Sequence, residues 1–346
     1  MTTADLKRID SRPISDNRQE IRAFMLVWND SLRLESALTH YRQLGVSRFF
    51  VVDSGSTDGT LDILATAPDV YAFSAAGDDG MGSINALLDT YGSGHWALTV
   101  DADELFIYPH YEQLELPLFC RYLDYVGAQA VPCVSLDMYA ASPISDAVHI
   151  PGMPLLNTCG YFDGSPYRLD ETDVCPFFEI RGGLRERALN QSPVLSRVPL
   201  VKWQPGMRYL RGTGNITPVM LASILAALLR FEFLSDYSER AQSGSALGEG
   251  ASTNLYSANS VKFENSAQLV ELALMKTSNA YEESVQMTAA ARSRHSSAHT
   301  LGGVIHHVEE LHRQRTSLLQ FVDVGLLRTG LKTAVVFDQQ QAHKII

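Results

Sequence analysis

"RFFVVDSGSTDGTLDILATA", residues 48–67, runs from unbroken apolar sequence through a cluster of turn formers into a stretch with helical spacing. The apolar half reads as a buried strand and the second half as a helix. Ser56 is placed to cap that helix, with Asp58 in its first turn, where the helix dipole favours negative charge. Upstream, "IRAFMLVWN" (21–29) is another strand, and in "SLRLESALTHYRQLG" (31–45) Leu34, Leu38, Tyr41 and Leu44 recur at helical spacing before Gly45 closes the helix. Downstream, "VYAFSA" (70–75) and "HWALTV" (95–100) are strands on either side of the helix-like "MGSINALLDTYG" (81–92). Strands alternating with helices predict an α/β fold, a mostly parallel sheet with helices on both faces.

In such sheets, ligands bind in the crevice beyond the carboxyl ends of the strands. Three predicted strand ends are polar: Asn29 and Asp30, then Asp53 and Ser54, then Asp101 and Asp103, with Glu104 beside them in "LTVDADELFIYP" (98–109). Carboxylates directly after a buried strand are costly unless they meet water, a donor or a cation. An Asp-x-Asp at this position suits a hard divalent ion, Mn2+ or Mg2+, held by one or two carboxylates together with substrate phosphates; a solvated turn is the plainer alternative. The chain has no GxxxxGK[ST] loop and no GxGxxG after the first strand, so it lacks the phosphate cradles of a nucleotide-dependent motor or a dinucleotide dehydrogenase. Phosphatases of the haloacid dehalogenase type also use D-x-D after a strand, but after the first one, and here it follows the fourth.

Of the 346 residues, 45% are hydrophobic and 19% charged, the composition of an ordinary globular protein. A formal charge of −11 argues against nucleic acid as a partner and means that an anionic substrate needs local positive charge. Cys120, Cys133, Cys159 and Cys175 show no CxxC spacing and read as free thiols of a reducing compartment, the cytoplasm. Residues 1–20 are polar, without the apolar core of a signal peptide, and read as a loose N-terminal arm. The longest apolar run, "VMLASILAALL" (219–229), is too short to span a bilayer. It reads as a buried or interfacial helix, which leaves peripheral contact with the inner membrane face open.

From about 109 to 213 Pro, Gly and turn residues multiply, which predicts loops and short strands completing the sheet and shaping an acceptor pocket. After Pro218 three stretches, "VMLASILAALLRFEFLSDYSERA", "SAQLVELALMKTSNAYEESVQM" and "GGVIHHVEELHRQRTSLLQFVDVGLL", read as helical, and "QSGSALGEGAS" (242–252) as a flexible loop.

The segments "MLVWND", "ALTHYRQLGVSRFFVVDSGSTDGTLDIL" and "HWALTVDADELF" resemble, in order and spacing, the nucleotide-sugar-binding half of family-2-type glycosyltransferases with the GT-A (Rossmann-like) fold. The likeness is strongest to a bacterial subgroup with N-E, D-x-x-S-x-D-G-T and D-x-D-E motifs. It covers about 90 residues and continues more faintly through "GGLRERAL" and "SRVPLVKW" into "LLRFEFL". It implies a GT-A catalytic domain over 21–213 and a mostly helical C-terminal region over 214–346. It further implies that Asn29 lies near the base, with Asp30 where the subgroup has Glu, that Asp53 and the adjoining Ser54 meet the nucleoside, and that Asp101 and Asp103 serve the metal and the diphosphate. Trp28 replaces the subgroup's usual Lys, either to stack on a base or to pack the sheet. Three histidines found in relatives are replaced by Gly214, Arg230 and Gly250. Arg230 is then either a diphosphate ligand or a helix-end residue in water.

The activity implied is transfer of a sugar, with inversion, from a nucleoside-diphosphate donor, UDP-linked, to a glycan, lipid-linked or protein acceptor. Two alternatives stay open: a catalytically silent GT-A-like protein that binds nucleotide or scaffolds a partner, and a nucleotidyltransferase. An inverting transfer needs a carboxylate to take the acceptor's proton. Candidates are Glu179, Asp173 and Asp163, with Asp170 and Glu171 behind them. Glu179 either has its pKa raised by apolar neighbours or pairs with Arg181 or Arg185. Arg185 and Arg187 hold donor phosphate or are structural. His40 packs or meets ligand, and His306 and His307 read as a solvated helix face.

Overall fold

The structure, a computed structural model, describes residues 6–14, 17, 19–75, 80–108, 111–112, 114–163, 167–222, 224–242 and 279–280. In chain order the main strands and helices are β1 (Leu6–Arg8), β2 (Ile21–Val27), α1 (Leu34–Gln43), β3 (Val46–Asp53), α2 (Thr60–Thr66), β4 (Val70–Ala75), α3 (Gly80–Leu87), β5 (Trp96–Thr99), β6 (Glu104–Ile107), α4 (Leu116–Tyr125) and β7 (Ala130–Asp137). They continue as β8 (Tyr161–Phe162), β9 (Tyr167–Glu171), β10 (Phe178–Gly182), α5 (Gly183–Leu189), β11 (Ser196–Lys202), β12 (Tyr209–Arg211), β13 (Asn215–Ile216), β14 (Ala226–Arg230), α6 (Tyr237–Gln242) and β15 (Asn279–Ala280).

Nine strands form one sheet in the order β1-β4-β3-β2-β5-β11-β7-β14-β6. β4, β3, β2 and β5 are parallel, β11 runs against β5 and β7, β14 is parallel to β7, and β6 and β1 run antiparallel at the edges. This is the expected Rossmann-like α/β arrangement, a mixed sheet in which six of the nine strands run the same way, covered on both faces. On one face α1, α2 and α4 bury Leu34, Leu38, Tyr41, Leu64, Phe119 and Leu123 against the sheet. On the other, α3 and the π-helical turn after it bury Ile84, Leu87 and Leu88 against Phe24, Phe50, Val52 and Trp203. α1 does stop where Gly45 turns the chain: φ there is +94° and a Cβ would lie 2.8 Å from Pro117 Cδ, so a side chain would be both strained and crowded.

Several expectations are corrected. "VMLASILAALL" is no helix: its second half is β14, buried between β7 and β6, because a short apolar run satisfies a central strand as well as a helix and periodicity cannot separate them. The main sheet therefore runs past residue 213, and the helix expected after it shrinks to α6. The N-terminal arm is not loose from Leu6 onward. β1 pairs with β4, and the guanidinium groups of Arg8 and Arg12 lie over the Tyr71 ring. Ser56 does not cap α2, which starts at Thr60. Its hydroxyl accepts the Asn29 N–H, while Asp58 accepts the Thr60 N–H at 2.9 Å. The stretch 109–213 is more regular than predicted, carrying α4 and the two fully interior strands β7 and β11. The two later helical stretches, Gly250, His306 and His307 lie outside the described residues, apart from β15, which pairs with β8.

All four cysteines are free and buried, and burial pushes their thiols up, that of Cys175 to about 11. No helix among the described residues is long and apolar enough to cross a membrane.

Candidate functional site

The polar strand ends meet at one rim because β2, β3 and β5 run parallel, so the residues that follow them leave the same edge of the sheet. Residues 101–104 form a tight turn between β5 and β6 that keeps Asp101 and Asp103 there. The turn is pinned at each end: Glu104 N–H donates to the Asp101 carbonyl, and Asp101 N–H to Glu104 Oε2 at 3.1 Å. Phe231, just past β14, donates its N–H to the Asp103 carbonyl at 2.7 Å.

At the first strand end, Asn29 sits in the left-handed region with φ +51°. Its backbone N–H reaches Ser56 Oγ and its side-chain oxygen accepts the Thr57 N–H at 2.7 Å, which joins the β2 end to the loop after β3. Asp30 is buried; Arg240 Nη1 donates to it at 2.7 Å and the Trp28 N–H at 3.1 Å. Burial nevertheless outweighs Arg240, and its pKa lies above the ordinary carboxylate value. At the second strand end, the Asp53 carboxylate accepts the N–H groups of Gly55 and Ser56 at 3.0 and 3.2 Å, and Ser54 N–H donates to the Val27 carbonyl. Trp28 is half-buried beside them.

The acids of the third strand end are crowded. Asp101 is half-buried, and Asp103 and Glu104 are buried. Burial first, then Glu104 and Asp103, push the Asp101 carboxyl well above its ordinary range, and burial together with Asp103 pushes Glu104 up to about 7. Such a set is short of positive charge.

Part of the deficit is met from behind the rim by arginines, of which the sequence singled out Arg185 and Arg230 and passed over Arg33 and Arg240. Arg185, in α5, donates from Nε and Nη2 to Asp137 at 2.9 Å and from Nη2 to Glu232. Glu232 is buried, but Arg185 and Arg230 overcome the cost of burial and hold its carboxyl well below the ordinary range. Arg33 is held by Asp236, and Arg240 by Asp30. Asp137 ends an eight-residue buried strand, the same pattern that drew attention to Asp53 and Asp101. The alternation in "LLRFEF" likewise put Arg230 and Glu232 on one side of an extended chain. Arg230 is not in water at a helix end: it ends β14, in register with Glu104 of β6 and Asp137 of β7.

The candidate bases fall elsewhere. Asp163 is 1% exposed and held by Arg187 at 2.6 and 2.8 Å and by the Tyr139 hydroxyl at 2.9 Å. Glu179 pairs with Arg181 at 2.7 Å. Asp173 is exposed in the turn between β9 and β10, at the opposite end of that hairpin from Gly182, which leads into α5. None of the three has a described contact with the rim acids. His40 touches no rim acid either; its Nε2 lies 3.1 Å from the Phe106 carbonyl, and burial lowers its pKa to about 4. Gly214 sits in the β12–β13 turn, where an added Cβ would lie 3.5 Å from Arg197 Nη1.

Among the described residues no three His, Cys, Asp or Glu side chains converge to hold a metal by themselves. Asp101 and Asp103 nevertheless fit a hard cation that completes its shell with phosphate and water: they offer only oxygen, Asp101 reaches solvent, and the raised Asp101 carboxyl marks a place where added positive charge is favourable.

No family model matches the sequence, and no curated protein matches it. Solved structures do match. A Mycobacterium tuberculosis glucosyl-3-phosphoglycerate synthase in complex with Mn2+, UDP and glucosyl-3-phosphoglycerate is 23% identical over 34% of this chain and 44% of that one, with a TM-score of 0.24. The chain thus spans less than half of that synthase. S. aureus TarS 1–349 is 11% identical over 94% of this chain and 83% of that one, TM-score 0.32. A UTP-bound UGPase from Acinetobacter baumannii is 10% identical over 53% and 74%, TM-score 0.27. Each is a likeness only.

Proposed function

We propose that this protein is a glycosyltransferase that moves a sugar, with inversion, from a nucleoside-diphosphate donor, UDP-linked, to the hydroxyl of a glycan, lipid-linked or protein acceptor. The observation that carries the reading is the convergence of three strand ends, Asn29–Asp30, Asp53–Ser54 and Asp101–Asp103, on the rim where such sheets bind ligands. Asn29, Asp53 and Ser54 line the nucleoside end, and the half-buried Trp28 offers a ring face beside it. Asp30, tied to Arg240, anchors the loop that leads from β2 into α1. Asp101 and Asp103 would hold Mn2+ or Mg2+. When bound, that ion supplies charge neutralisation to the diphosphate as it leaves.

The role of base falls to a carboxylate from the mid-chain, with Asp173 the most exposed of Glu179, Asp173 and Asp163. A second reading, nucleotide binding without transfer, is favoured by one observation: Asp163 and Glu179 are both occupied by arginines. Calorimetric titration of UDP and GDP with and without Mn2+, followed by a donor-hydrolysis assay, tests the first reading. Metal-enhanced UDP binding with hydrolysis supports transfer, binding without hydrolysis supports the second reading, and no binding overturns both.

A further inference from the structure

The arginines behind the rim differ in how they are held. Arg33, Arg185 and Arg240 each make hydrogen bonds to a carboxylate at short range. Among the described residues, Arg230 is held by looser ion pairs, with Nη2 3.2 Å from Glu232 and Nε 3.8 Å from Asp103. Its Nε is buried and has no hydrogen-bond partner among those residues. A buried donor left without an acceptor is unfavourable, and the penalty is removed if an acceptor arrives with a ligand. Glu232, the nearer of its two carboxylates, is already bonded to Arg185, so Arg230 can redirect donors without leaving that acid unpaired.

The backbone aims this side chain at the acids. Arg230 is the last residue of β14, paired across the sheet with Glu104, and the next residue, Phe231, is bonded to the Asp103 carbonyl. A fifth of its side-chain surface stays open. Its guanidinium therefore stands at the Asp-x-Asp turn with a planar fork of donors, the geometry that matches two oxygens of a phosphate.

We infer that Arg230 binds the diphosphate of the donor, acting as a second cation beside the ion held by Asp101 and Asp103, so that nucleotide binding depends only in part on metal. The inference rests on the reading of the rim as a nucleoside-diphosphate site. The rim's surplus of carboxylates supports it: an anion entering beside Asp101, Asp103 and Glu104 needs more positive charge than one partly shielded divalent ion provides.

The test is calorimetric titration of UDP and of uridine into the full chain, in Mn2+ and in EDTA, for wild type, Arg230→Gln and Arg230→Lys, with circular dichroism to confirm folding. Wild type should bind UDP measurably in EDTA, more weakly than in Mn2+. Arg230→Gln should lose at least tenfold in UDP affinity under both conditions with uridine affinity unchanged. Arg230→Lys should fall between, since it keeps the charge and loses the fork. Equal UDP affinity in Arg230→Gln and wild type, or equal losses for UDP and uridine, overturns the proposal while leaving the rim a nucleotide site. If Arg230→Gln does not fold, the Arg230→Lys comparison decides by the same criterion. Binding of neither compound by wild type overturns the rim reading and this inference together.

Discussion

The guanidinium of Arg33 has no exposed surface, and its two terminal nitrogens each lie 2.6 Å from a different carboxylate oxygen of Asp236. Its Nε donates to the Phe231 carbonyl at 3.0 Å. These bonds fasten the chain beyond β14 to the loop between β2 and α1, so the first strand end and the segment behind the acids form one unit.

Breaking that pair should be costly. Asp236→Ala leaves a fully buried cation without its carboxylate, and a loss of about 3–5 kcal/mol is expected from the removal of one partner of a buried pair. Urea denaturation monitored by tryptophan fluorescence measures it; a loss under about 1 kcal/mol would mean that the Phe231 carbonyl and water suffice for Arg33.

Asp103→Asn should behave in the opposite way. The Asp103 side chain is close to Asp101 and Glu104, and its recorded partner is Arg230 at 3.8 Å, so neutralising it relieves repulsion among acids. Stability is expected to stay within about 1 kcal/mol of wild type. Mn2+ should no longer strengthen UDP binding. Calorimetry with and without the metal checks this, and an undiminished metal effect would remove Asp103 from the site.

Asp53 carries a structural load as well as its proposed place near the nucleoside. Asp53→Ala strands the buried Ser56 N–H and leaves that of Gly55 to water, and should destabilise by about 1–3 kcal/mol, with Asp53→Asn, which keeps one acceptor oxygen, losing less. If the two variants are equally stable but both lose UDP, the residue's importance lies in ligand contact and the loop holds by other means.

His40 gives the fold an acid limit. Its pKa is lowered from 6.5 to about 4 because burial disfavours the charged ring. Between those values the unfolded chain binds the proton and the folded one does not, so stability is full above about pH 6.5 and declines as pH falls toward 4. Replacing His40 with Asn should flatten the melting temperature across that window by up to one proton's contribution. An unchanged slope would assign the acid sensitivity to carboxylates held low by arginines, such as Glu20 and Asp69, since the raised Asp101 and Glu104 act in the opposite sense.

Much of the architecture was legible because buried parallel strands leave near-continuous apolar runs that end abruptly in polar residues. β2, β3, β4 and β5 and the helices between them were readable on that ground, and so was the rim that Asn29, Asp53 and Asp101 share. β14 was not: eleven apolar residues satisfy a helix or a central strand alike, and only the gap between β7 and β6 selects the strand. The cap of α2 was misplaced because the Ser56 hydroxyl is taken by Asn29, which lies 27 residues away in the chain.

Local pattern alone therefore determined which residues form strands between 21 and 100 and which carboxylates lie at their ends, because burial and turn chemistry act over a few neighbours. What stands behind those carboxylates was decided by tertiary structure. Arg33 with Asp236, Arg185 with Asp137, and Arg240 with Asp30 are separated by 203, 48 and 210 positions, and no local spacing links them. A buried charge must find an opposite one wherever the fold supplies it, and here the return of the chain through β14 into α6 brings Arg230, Glu232, Asp236 and Arg240 back to the rim that the first half laid out.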